Sequence, residues 1–123
     1  MEDILNKESV KRVQKALDEF SNDIKAIVLS SSARTAQQAA TSLNTEVGSI
    51  VKSLLFKTED GFVLCLVSGD KRCSLNKLKK IKNQKDISMA DPETVKKITG
   101  FTIGGVSPVG HLQKIEIFID KDL

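Results

Sequence analysis

Lys52 interrupts an apolar run, standing between Ile50-Val51 and Leu54-Leu55-Phe56. A side-chain period of two places it on one strand face with Ile50, Leu54 and Phe56. Lysine is rarely buried unpaired, because taking an ammonium out of water costs several kcal/mol. Three arrangements satisfy that constraint. The strand lies at an edge and Lys52 reaches to water along its apolar stem; or Lys52 pairs with a buried carboxylate; or the strand opens onto a pocket where the ammonium meets an anionic ligand. A second feature is the segment Gly104-Gly105-Val106-Ser107-Pro108-Val109-Gly110-His111. Three glycines and a proline in eight residues specify an unusual backbone path and allow close approach to the main chain. N–H groups exposed in such a turn can cradle a phosphate or stabilise an oxyanion. The same composition also serves as a tight connection between two elements. It matches neither the phosphate loop nor the dinucleotide fingerprint.

His111 is the only histidine, and its imidazole is suited to general base work near neutral pH. Ser107 lies four residues before it, which raises a nucleophile–base dyad. Against the dyad, no GxSxG elbow is present and Pro108 follows the serine directly. One histidine and two isolated cysteines, Cys65 and Cys73, do not have zinc-site spacing, so no metal is expected. Arg34 precedes a helix start and can hold an anion there or lie on the surface. Lys77, Lys79, Lys80, Lys82 and Lys85 form a basic cluster that suits RNA phosphates or a solvated helix face. Base stacking could come only from the five phenylalanines, since Trp and Tyr are absent.

The elements that must position these residues follow from pattern. Val10, Val13, Leu17 and Phe20 recur at spacings of three and four and predict an amphipathic helix over 7–21. Residues 26–31 are a short run of strand formers. Thr35 and Gln38 have capping-box spacing and predict a helix from Ala36 to about Leu43. Residues 49–57 and 62–68 flank Asp60-Gly61 and read as a hairpin, apolar enough to be covered on both faces. Ser74 caps a short helix over 75–82. Asp91-Pro92-Glu93 starts another that stops at Gly100. Residues 114–119 alternate and predict a final strand. The order implies an α/β or α+β domain with a mixed sheet flanked by helices.

Composition bounds the whole. The chain has 123 residues, 40% hydrophobic and 28% charged, with net charge +3, which suits one globular domain without long disorder. No run spans a membrane, and the charged N-terminus MEDILNKESVKR lacks an export signal's apolar core. Free thiols fit a cytoplasmic protein.

Four segments together resemble the YbaK/prolyl-tRNA-synthetase editing-domain family of trans-acting aminoacyl-tRNA deacylases. They are R-T-A-x-x-A-A from Arg34 to Ala40, G-S-I-V-K-S-L-L-F from Gly48 to Phe56, L-V-S-G-D from Leu66 to Asp70, and T-G-F-x-I-G-G-V-S-P-V-G-H from Thr99 to His111. The resemblance implies a mixed, curved sheet flanked by helices. It further implies hydrolysis of the ester joining a wrong small amino acid (Ser, Thr, Ala or Cys) to the 3′-terminal adenosine of tRNA, without cofactor. Lys52 would engage the terminal nucleotide and its phosphate. Gly104, Gly105, Ser107 and Pro108 would lie against the ester and the aminoacyl group. A water would be the nucleophile, and His111 would contact the substrate side chain or the terminal nucleotide. Arg34 would bind substrate, and Lys77, Lys79 and Lys80 would bind RNA. Family members continue past a strand like Lys114–Asp120, so the chain is expected either to be a short or truncated member or to take part of its pocket wall from elsewhere, a second copy being one source; a monomer or weak homodimer is expected. The alternatives are a non-catalytic tRNA- or RNA-binding module of the same fold, and an interaction domain in which Lys52 merely snorkels.

Overall fold

The computed structural model describes residues 4–29 and 33–123. Helix α1, Glu8–Phe20, turns its Val10, Val13 and Leu17 inward to half-buried positions. Phe20 departs from the expected stripe and is 84% exposed, because the helix ends there and the chain turns away. The expected strand at 26–31 does not form over 26–29, which run without regular structure; positions 30 and 31 lie outside the described residues.

Local signals set the other helices. Helix α2, Ala36–Ser42, carries a full capping box: Thr35 Oγ1 accepts from the Gln38 N–H at 3.1 Å, and Gln38 Oε1 accepts from the Thr35 and Arg34 N–H groups. Ser74 caps α3, Leu75–Lys82. Asp91 caps α4, Pro92–Thr99, accepting from the Thr94 N–H at 2.7 Å. That bond lowers the Asp91 pKa. Gly100, with φ +81°, ends α4 in the left-handed region that glycine tolerates.

The expected hairpin is β1, Val51–Lys57, and β2, Phe62–Ser68, paired antiparallel with Lys52 opposite Val67. Two further strands complete a mixed sheet of order β3-β1-β2-β4. Strand β3 is only Ser88–Met89, and β4, Glu116–Ile119, runs parallel to β2. Consecutive strand residues feed opposite faces. On one face Leu55, Leu64 and Leu66 pack with Val95 and Ile98 of α4. On the other, Phe56, Val63 and Cys65 pack with Leu78 of α3. Strand β2 is covered on both faces as expected, but β1 is so only at Leu55 and Phe56. Its first half differs because β3 pairs with Phe56 and Lys57 and stops there.

Candidate active site

A cavity of about 310 Å³ occupies the place that a longer β3 would fill. Backbone groups of a strand point alternately to its two edges. The Leu55 carbonyl accepts from the Ala90 N–H at the β3 edge, so the backbone of Ser53, two residues earlier, faces the same open edge. The walls come from Arg34, Thr35 and Ala36 at the start of α2, Ile50 to Leu55 of β1, Met89 and Ala90 beside β3, and Ile103, Gly104 and Val106 of the glycine loop.

Lys52 lines this cavity from the α3 face of the sheet. Its Nζ donates to the Lys71 carbonyl in the turn after β2, and among the described residues no carboxylate pairs with it. The approach to Lys52 is locked by Ser68-Gly69-Asp70. Ser68 Oγ lies 2.5 Å from the Gly48 carbonyl and 2.9 Å from Asp70 Oδ1. A Cβ on Gly69 would come within 2.5 Å of the Val47 carbonyl, so glycine is what lets this turn close against the entry to β1. That locking role was not foreseen for these residues.

Gly104 reaches the cavity through a β-turn, Thr102–Gly105, in which the Gly105 N–H donates to the Thr102 carbonyl at 2.8 Å. Gly104 takes φ +83° at the third position, as a type II turn requires. A Cβ there would meet open space, so the backbone conformation, and not crowding, selects glycine. The Gly105 N–H is used by the turn, and Gly104 belongs to the cavity lining.

Other expected site residues lie elsewhere. Gly105 and Ser107 line a separate cleft beneath α1. Ser107 Oγ accepts from the Val109 N–H, and His111 Nε2 meets the Ser107 carbonyl at 2.6 Å. A carbonyl only accepts, so Nε2 carries the proton in that bond. His111 thus bonds the serine's backbone rather than its hydroxyl, and its ring meets Phe101 edge-on. Pro108 lies in the same loop, away from the cavity lining. Lys77 and Lys80 are exposed and Lys79 half-buried on α3, away from the cavity lining as well. Lys82 of the same cluster is ion-paired with Glu116 at 2.9 Å; that hydrogen bond raises its pKa.

One residue of this wall escaped the sequence reading. Ser53 Oγ is buried without a hydrogen-bond partner among the described residues and belongs to the cavity wall. The available signal was a second polar residue beside Lys52 in an apolar strand. Cys65 is buried and Cys73 half-buried, both as free thiols. Burial, with the neighbouring Cys73 as a lesser cause, pushes the Cys65 thiol up to about 12.

The mixed sheet thus leaves the first half of β1 open at one edge, and a lysine and a glycine turn line the cavity there. Residues 30–123 match the family model described as aminoacyl-tRNA editing domain, and the chain belongs to that family. Among curated relatives, the proline–tRNA ligase of Thermosipho africanus is 41% identical over 87 residues, covering 71% of this chain and 15% of the ligase. That of Caldicellulosiruptor saccharolyticus is 30% identical over 122 residues, 99% of this chain and 19% of the ligase. The chain therefore spans less than a fifth of the length of these ligases. A solved structure described as a candidate trans-editing enzyme for prolyl tRNA synthetase superposes with TM-score 0.88 at 43% identity, over 94% of this chain and 74% of that one. The structure of hypothetical protein APE2540 superposes with TM-score 0.81 at 25% identity, over 89% and 73%. Among the described residues no helix is long and apolar enough to cross a membrane.

Proposed function

We propose that the chain is a deacylase acting in trans, which hydrolyses the ester between a small amino acid and the terminal ribose of a mischarged tRNA. The observation that carries this reading is that Lys52, Arg34 and Gly104 line one cavity. Among the described residues Lys52 has only a neutral carbonyl as partner, so its charge is left for a phosphate of the terminal nucleotide, and in a partly desolvated cleft that attraction exceeds its value in water. Arg34, exposed at the cavity rim, supplies a second cation. Water attacks the ester carbonyl carbon, and the Gly104 N–H stabilises the oxyanion. Collapse breaks the bond to the ribose oxygen, which takes up the proton released by the water. The products are a free amino acid and a tRNA with its hydroxyl restored. No cofactor enters. Gly105, Ser107 and Pro108 shape the loop that presents Gly104, and His111 staples it. The lysines at 77, 79 and 80 contact the RNA away from its acylated end.

The cavity is at the small end of ligand sites, whose volumes run from about 300 Å³ upward. That favours a small aminoacyl group, of the Ala, Cys, Ser or Thr kind, and suits a site that removes errors a synthetase pocket discriminates poorly. The test is a deacylation screen over tRNAs charged with those four amino acids, repeated with Lys52→Ala. Hydrolysis of at least one ester is expected, with a loss of about 100-fold or more in the variant at unchanged circular dichroism. Full activity in folded Lys52→Ala would remove the lysine's role. Salt-sensitive tRNA binding without turnover by the wild type would instead make the chain a binding module.

A further inference from the structure

The glycine loop is held at both of its ends by a single side chain from the opposite end of the sequence. Arg12 of α1 donates from Nη2 to the Gly100 carbonyl at 3.0 Å and from Nε to the Gly110 carbonyl at 3.1 Å. Its guanidinium lies 4.9 Å from the centre of the Phe101 ring, and Glu8, one turn earlier, pairs with the remaining amine. The two glycines it bonds are those with φ +81° and +79° that bracket the loop. Both pack against Arg12 itself. A Cβ on Gly100 would fall 2.4 Å from Nη2, and one on Gly110 would fall 3.0 Å from the Arg12 carbonyl. Just outside these anchors the Leu112 N–H donates to the Thr99 carbonyl and closes the loop's neck.

We infer that Arg12 is a positioning residue for the turn that presents Gly104 to the cavity. A planar guanidinium can bond two carbonyls set by one geometry, which a lysine ammonium on a flexible stem cannot do in the same way. Gly104 itself has no side chain, and a Cβ there would touch nothing. Its place is therefore set by the backbone: by its own Thr102–Gly105 turn and by how the loop's ends are fixed. Because α1 precedes the stretch matched by the family model, this contact couples an outlying helix to the cavity.

The inference rests on the proposed deacylase reading for its kinetic arm, and stands apart from it in its structural arm. Hydrogen exchange in the loop is measured for the wild type, Arg12→Ala and Arg12→Lys, with the β1 and β2 amides as the control for folding. Both variants are expected to speed exchange across 101–110 roughly tenfold, the scale of losing a charge-assisted hydrogen bond, while the sheet stays protected. Unchanged loop exchange in either folded variant overturns the inference, whatever the activity. If Arg12→Ala proves unfolded, Arg12→Lys decides alone, since it keeps the charge and the stem. In deacylation, both variants are expected to lower kcat about tenfold with KM little changed. A merely structural arginine would lower the folded fraction and leave kcat per folded molecule intact. A wild type without deacylase activity ends the reading of function but not the exchange result.

Discussion

Ser53 places a buried hydroxyl, without a partner among the described residues, in the wall of the cavity. Such a group forfeits its hydrogen bonds to water and gains none in return. Ser53→Ala is therefore expected to stabilise the free protein by about 1 kcal/mol, read from urea denaturation; a clear loss of stability would show that the hydroxyl has a partner. Cys65 gives a second prediction. Its thiol is neutral up to about 12 in the folded chain, against about 8.5 when unfolded. As pH rises through that interval the unfolded chain loses the proton and the folded chain keeps it. Stability must fall, with a slope approaching about 1.4 kcal/mol per pH unit. Comparison of wild type with Cys65→Ala at pH 8 and pH 10 isolates this slope, and equal slopes would contradict it. At this scale the strand lysine was legible because its type clashes with its neighbours. Its bond to the Lys71 carbonyl was not, since a turn 19 residues away leaves no trace in local pattern.

The caps were the most readable elements. Thr35 with Gln38, Ser74, and Asp91-Pro92 with Gly100 all start or stop helices where side-chain chemistry says they should. Strand β3 was not readable, because Ser88–Met89 becomes a strand only by docking on Phe56 and Lys57. The parallel placement of β4 beside β2 was hidden for the same reason: alternation announces a strand but not its neighbour. The run at 26–29 shows the converse, strand formers with no partner strand to join. Helix α2 forms part of the cavity wall, so its cap has a functional consequence. Thr35→Ala removes one half of the capping box and is expected to cost about 1 kcal/mol. In the same variant KM for the acylated tRNA should rise, because Arg34 and Ala36 lose their anchor. Unchanged melting and unchanged KM together would show that the box contributes nothing to the wall.

For the whole molecule, the small net charge of +3 conceals an uneven spread. Lys77 and Lys80 stand exposed on α3, while Lys82 is committed to Glu116. If the exposed group meets RNA phosphates, replacing Lys77, Lys79 and Lys80 by Gln should weaken tRNA binding. It should also flatten the dependence of log K on log salt by up to about three units of slope. An unchanged slope would assign those lysines to solvent.

The bond from Arg12 to Gly110 has one more consequence, for how the chain comes off the ribosome. Its two partners are 98 positions apart, so at ordinary rates of synthesis the first helix waits roughly 5 to 20 s for its acceptor to be made. The β1–β2 hairpin, joined by a four-residue turn, can assemble during that delay. The hairpin can thus form before the tie from Arg12 is available, whereas β4, Glu116–Ile119, joins the sheet only after Gly110 has been made, and the loop that the tie secures is among the later parts to acquire a fixed shape.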